Sequence, residues 1–469
     1  MTPVSADQPQ SVVPRRSPWR DARPQNVFAV VTLIFGTALA LLTPPFQVPD
    51  EAAHFLRVYQ LSQGVLLSPK QGDQYGGQVP LSMARFWNEF EFLKFHPLSK
   101  TSFGQVRAEM GRPLNPRETV FMPFPNTALY SPAPYLPQII GTLAASRLVR
   151  SPISLLWAGR LGSVAGYVII GWLAILATPV LKWPTALVLI GPMALFLAAS
   201  ESADQLTIAI AFLAVALVLR IALAPQPPGW PLTVALGVAM VAMTLCKSAY
   251  VPLVALLLAV PPGQWTRRPG AGRGMQWAPP LIITAFCLVA LFGWSALTHP
   301  MSVRERAGDP MVQVHWVEHN PITYARVLLH TTAERGWNIF FSGIGVLGWV
   351  DTTLSTYGLE IYVLAGIWMV LNYDAPLSIP VRLRVAAGVS VLASLVLVAT
   401  GIYIIWDPAG TPTVEGMQGR YLLPLALPLF ILFQRRGRYP AVGGWMAIGM
   451  TVVAGYTVIA VVQRYYLPG

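Results

Sequence analysis

The feature that most constrains this chain is a recurring run of apolar residues, each close to the ~20 that a helix needs to cross ~30 Å of hydrocarbon. Such runs fall at 27–43, 160–181, 184–200, 204–223, 231–245, 249–261, 277–298, 356–371, 385–405, 421–433 and 441–462, which makes eleven. Lys, Arg, Asp and Glu together supply 11% of the residues, against ~25% in an ordinary globular chain. A soluble multidomain protein is excluded, and an all-α polytopic integral membrane protein is predicted. The first run contains the triplet Ala38-Leu39-Ala40, as a cleaved leader would. With ten further spans behind it, an uncleaved first helix is expected.

Charge sets the orientation. The formal net charge is +12, but the basic residues lie in short clusters between apolar runs rather than on one surface, so no nucleic-acid partner is expected. Arg15, Arg16, Arg20 and Arg23, Lys182, Arg220, Arg267, Arg268 and Arg273, Arg382 and Arg384, and Arg435, Arg436 and Arg438 all fall on one side if segment 136–149 is not a span. That segment is short and follows three prolines. It carries Leu136, Ile139, Ile140, Leu143 and Leu148 on one side against Gln138, Thr142 and Ser146 on the other, as an interfacial helix would. The amino terminus is then cytoplasmic, and two large segments, 44–159 and 299–355, face outward. Residues 1–26, rich in Pro, Gln, Ser and Arg, read as a disordered cytoplasmic tail ahead of one transmembrane domain, 27–469. Cys246 and Cys287 lie in apolar stretches and offer neither a disulfide framework nor a zinc site.

Chemistry is expected on the outer side. Directly after the first span come Pro49-Asp50-Glu51-Ala52-Ala53-His54-Phe55-Leu56-Arg57. On a helix opened by Asp50, steps of ~100° put Asp50, His54 and Arg57 on one face; the plainer reading makes Asp50 an N-cap and Glu51 a partner of the helix dipole. The topology brings Arg160, Lys247, Arg335 and Arg420 to the outer boundary, where they serve either an anionic ligand or lipid headgroups. In the second outer segment, His315-Trp316-Val317-Glu318-His319 has the H-x-x-E-H spacing of inverted zinc peptidases, but Asn320-Pro321 follows at once and no third ligand is identifiable.

The segments PPFQVPDEAAHFLRVYQLSQG, YSPAPYLPQ, ALFLAASESADQLTIA, ERGWNIFFSGIGVLGW and GMQGRYLLP resemble a family of bacterial polytopic membrane proteins catalogued as a domain of unknown function. That family is in turn similar to the GT-C glycosyltransferases, which use lipid-phosphate sugar donors. The resemblance implies a first outer loop with an acidic residue just after span one, interfacial helices in that loop, and the remaining spans behind it. Asp50 and Glu51 match the acidic position, which implies a general base on the acceptor or a contribution to a divalent metal site. Glu51, about 100° away, then binds acceptor or metal, and His54 and Arg57 orient Asp50 or hold an anion. Asp204, in Ser200-Glu201-Ser202-Ala203-Asp204, resembles a second acidic position and is also a candidate helix cap.

The expectation is a cytoplasmic-membrane glycosyltransferase moving a sugar from a polyprenyl-phosphate donor to an extracytoplasmic glycan or lipid acceptor. The donor follows from location, since nucleotide sugars do not cross the membrane unaided. No cofactor is required by this reading, although a divalent metal is compatible with it. A transporter or flippase is the alternative, because spans with boundary charges serve it too. Single cysteines introduced near positions 270 and 437 are expected to be shielded from an impermeant thiol reagent in intact cells, and one near 111 to react. Labelling at 270 would overturn the orientation.

Overall fold

The computed structural model describes residues 22–146, 150–266, 270, 272–301, 310–372, 377–435 and 443–468. The tail to residue 21, the end of segment 136–149 and the basic clusters at 267–268 and 436–438 lie outside them. Six described helices are long and apolar enough to cross a membrane: Pro24–Leu42, Pro152–Ala177, Asp204–Ala222, Arg273–Thr298, Val381–Trp406 and Gly443–Tyr465. Four shorter apolar helices accompany them: Trp230–Cys246, Ser248–Ala259, Thr356–Asn372 and Gly419–Phe433. The run expected at 184–200 is two pieces, Lys182–Ile190 and Pro192–Ala198, because Pro192 has no N–H to continue the ladder past Gly191. The span expected at 160–181 starts eight residues earlier, with Pro152 in its first turn, and ends at Ala177. Arg160 therefore lies inside a helix and not at its end.

Cations expected on one side do collect at helix ends. Lys182 donates to the carbonyls of Ile175 and Leu176, and Arg384 to those of Ile431, Leu432 and Gln434. Each satisfies carbonyls that the last turn of a helix leaves without N–H partners. Ala22, Trp183 and Gly443 meet at the same end of the bundle.

Leu136–Ala145 has ten residues, about 15 Å of helix, half of what a span requires. Its polar face is turned inward: Gln138 donates to the Ser202 carbonyl at 3.1 Å and accepts from Gln205 at 3.3 Å, while Leu136, Ile140 and Leu143 are exposed. A soluble protein would do the reverse. Gly141 and Gly162 sit where a Cβ would collide with the backbone of the facing helix, so this short helix and Pro152–Ala177 pack backbone to backbone.

Segment 44–159 carries a small antiparallel sheet, Lys70–Gln71, Gln74–Pro80 and Thr119–Pro123, and the helix Glu51–Ser62. The last long helix anchors this segment. Arg464 pairs with Asp351 at 2.6 Å and donates to the carbonyls of Leu93, His96 and Ser99. Segments 44–159 and 299–355 are thus tied to one guanidinium.

The turn between the first helix and Glu51–Ser62 is strained, with Phe46 and Asp50 both at φ 65°. What holds it is a sealed ion pair. Arg160 donates to both Glu51 oxygens, at 2.8 and 2.6 Å, and to the carbonyls of Ala40, Thr43 and Pro44. Glu51 also accepts from the backbone N–H groups of Phe46 and Glu201. Both side chains are fully buried. Glu51→Gln leaves the guanidinium without its counter-charge and is expected to cost about 3–5 kcal/mol. Thermal unfolding of the purified protein checks this, and the double change Glu51→Met with Arg160→Met should recover part of the loss.

Candidate active site

Four charged side chains from four separate elements form one chain of contacts. Asp50 starts the Glu51–Ser62 helix but makes no capping bond with its side chain, so the N-cap reading fails. Its Oδ2 instead accepts from Arg420 at 2.8 Å. The Arg420 Nε lies 3.4 Å from Asp204 Oδ2, and Lys247 Nζ donates to Asp204 Oδ1 at 3.1 Å. Asp204 therefore sits between two cations, and Arg420 between two carboxylates. Tyr421 lies beneath both cations, 4.2 Å from Lys247 Nζ and 5.3 Å from the Arg420 guanidinium, and its carbonyl accepts from the Tyr250 hydroxyl.

Local sequence explains how each group arrives. Lys247 follows the last turn of Trp230–Cys246, and Ser131 bonds the Leu245 carbonyl, docking the YSPAPY segment against that turn. Arg420 is placed by two glycines. Gly419 and Gly343, on the helix Pro321–Gly345, touch backbone to backbone with no room for a Cβ on either. Asp204 is at the first turn of its helix, with its N–H donated to the Ser202 hydroxyl.

Electrostatics separates Asp50 from its neighbour His54. Burial, the largest single influence, pushes the Asp50 carboxyl up, but the charge and hydrogen bond of Arg420 together with His54 bring the group below the ordinary carboxylate range. Burial drives His54 down to about 4, against the pull of Asp50 and Asp204. At neutral pH the site holds an aspartate and an uncharged imidazole, whose Nδ1 is 2.7 Å from the Tyr135 hydroxyl. The Asp50 side chain keeps 38% of its surface open. It opens onto a cavity of about 250 Å³ whose lining includes Trp87, Phe90, Asn126 and Trp349. No group among the described residues bonds Asp50 Oδ1.

Of the residues singled out in the sequence, Asp50, Asp204, Lys247 and Arg420 come together, with His54 beside them. Glu51 does not join them: its carboxylate turns into the protein and is saturated by Arg160, so neither is free to meet a ligand. Arg57 is likewise enclosed, bonding Gln60, Ser68 and the carbonyls of Leu66 and Tyr130. Arg335 donates to the Val414 carbonyl. Tyr130, Tyr135, Tyr250 and Tyr421 were not singled out; the signal for two of them was their adjacency to Ser131 and Arg420 in the motifs quoted above. His315 and His319 are one turn apart and exposed on Pro310–His319, and His319 Nδ1 is 2.8 Å from the His315 carbonyl oxygen. Among the described residues no group of three His, Cys, Asp or Glu side chains is placed to hold a metal ion. At the four-charge cluster, arginine and lysine occupy the space between the carboxylates, so this donor set does not suit a divalent ion.

The chain belongs to the family described as "Predicted membrane protein (DUF2142)", which matches residues 33–429. No curated protein matches it in sequence. Two solved structures of ArnT from Cupriavidus metallidurans are similar in shape. The apo form has 15% identity over 94% of this chain and 76% of its own, with a TM-score of 0.39. The form bound to undecaprenyl phosphate has 16% identity over 94% and 77%, with a TM-score of 0.36.

A pH dependence follows from His54. Its folded-state value, about 4, lies below the ordinary 6.5, so the unfolded chain takes up the proton first. The stability it contributes is complete above ~6.5 and is lost as pH falls toward 4, by up to about 3 kcal/mol. Unfolding followed between pH 7 and 4 should show this loss in the native protein and a flatter profile in His54→Gln. Equal profiles would show that His54 is not the sensor.

Proposed function

We propose that the protein is a membrane glycosyltransferase of the GT-C kind, using a polyprenyl-phosphate sugar at the extracytoplasmic face, with Asp50 as general base. The observation that carries this is the division of labour at one carboxylate. Asp50 Oδ2 is held by Arg420, while Oδ1 has no partner among the described residues and Asp50 lines an open cavity. An acceptor hydroxyl there gives its proton to Oδ1 as its oxygen bonds to the anomeric carbon. The bond from that carbon to the phosphate oxygen breaks with its electron pair, so a single displacement inverts configuration.

A carboxylate this weakly basic works only late, when the forming C–O bond has made the hydroxyl acidic. Lys247 and Arg420 are the cations for the leaving phosphate. Asp204 keeps both in place and offsets the cost of burying them before the donor arrives. Glu51 and Arg160 act on Asp50 through the backbone, as positioning residues.

Purified protein supplied with a polyprenyl-phosphate sugar tests the assignment. Asp50→Asn is expected to lower turnover by ~10²–10⁴ with abundance and insertion unchanged. In the same preparation Lys247→Met should weaken donor binding by roughly ten-fold or more, the effect of losing a charge-assisted contact worth about 1.5–3 kcal/mol. Native turnover in the Asn variant would sink the base assignment; a substrate moved across the bilayer without bond cleavage would favour transport.

A further inference from the structure

The cavity beside Asp50 is lined by neither Arg420 nor Lys247, and its walls have a chemistry of their own. Trp87 and Phe90 come from the end of the helix Leu81–Glu89, and Trp349 comes from the second outer segment. Trp349 is fixed in place: its indole N–H donates to the Phe46 carbonyl at 3.1 Å, and Lys94 Nζ stands 4.1 Å from its ring centroid. The same lining carries polar groups. Among the described residues, the Trp87 indole N–H, the Glu91 carboxylate and the Asn126 amide make no hydrogen bond or ion pair with protein; Trp87 and Asn126 are half-buried, Glu91 is exposed, and all three residues line the cavity.

We infer that this cavity is an acceptor subsite that takes one pyranose ring, stacked on Trp87 and presenting a hydroxyl to Asp50 Oδ1. This rests on the glycosyltransferase reading and adds the chemical class of the acceptor to it. Three alternatives fit the walls less well. An acyl chain would strip water from the Glu91 and Asn126 side chains and offer no hydrogen bond in return. A phosphate would meet two carboxylates, Asp50 and Glu91, against the single ammonium of Lys94. The donor's own phosphate is drawn to Lys247 and Arg420, which do not line this cavity.

A neutral ring with an apolar C–H face and a hydroxyl rim answers both halves of the lining: the face packs on indole and phenyl, and the rim meets one amide and two carboxylates. The cavity, about 250 Å³, suits a single ring rather than a long chain. In the reaction the ring's hydroxyl loses its proton to Asp50, its oxygen forms the new glycosidic bond, and the polyprenyl phosphate leaves with the electron pair.

The probes are methyl pyranosides of glucose, galactose, mannose and N-acetylglucosamine, added to the full-length protein in lipid nanodiscs and followed by saturation-transfer NMR. At least one is expected to bind, Trp87→Ala to weaken it roughly ten-fold or more, and Asn126→Leu to weaken it while leaving the fold intact. Asp50→Asn should keep binding while losing turnover. Absence of binding by all four, or binding indifferent to both Trp87→Ala and Asn126→Leu, overturns the subsite. If Asp50→Asn abolishes turnover in that case, the glycosyltransferase reading stands without it. Conversely, pyranoside binding lost in both cavity variants, with turnover indifferent to Asp50→Asn, keeps the sugar site and removes the base.

Discussion

Everything at this site depends on a charge that water never reaches. Burying a guanidinium is tolerable only if its donors are all met, and Arg160 meets them with one carboxylate and three backbone carbonyls. Those carbonyls belong to the last turn of the first helix and the residues just after it, where no intrahelical N–H is available. The pair therefore closes the first helix, fixes the start of the next and holds a φ of 65° at the residue between. That residue is Asp50. Its exposed carboxylate is placed by its buried neighbour.

A second layer of the same economy surrounds the first. Arg420 and Lys247 are two cations in a low-dielectric setting, and Asp204 is the counter-charge that lets them stay. Aromatic faces and hydroxyls from Tyr130, Tyr135, Tyr250 and Tyr421 complete the surroundings without adding charge. Both cations are therefore held in position, and one oxygen of Asp50 has no partner among the described residues.

The bundle inverts the usual order of polarity. In Leu136–Ala145 glutamine and threonine pack inward and leucine and isoleucine outward, since lipid demands no burial of apolar groups but leaves an unpaired amide uncompensated. Polar residues on a membrane helix face thus point to protein rather than to water. That rule made the segment readable as too short and too one-sided to span, although its direction of facing came from the packing against Pro152–Ala177.

The membrane class, the helical architecture, the family and the charged residues that meet at the site are readable along the chain, because long apolar runs and isolated charges between them have few physical alternatives. Asp50 and Asp204 were legible chiefly through the family resemblance, and Lys247 and Arg420 through their place at the ends of apolar runs, where a charge must have a partner. Only the tertiary structure decided which partner. Asp50 and Glu51 are adjacent and chemically alike, yet one turns outward to Arg420 and the other inward to Arg160. Their separation depends on a left-handed backbone angle and on an arginine 109 residues away from Glu51 in the chain. Nothing local encodes that choice. It is made by which buried charge must be neutralised once the helices have packed.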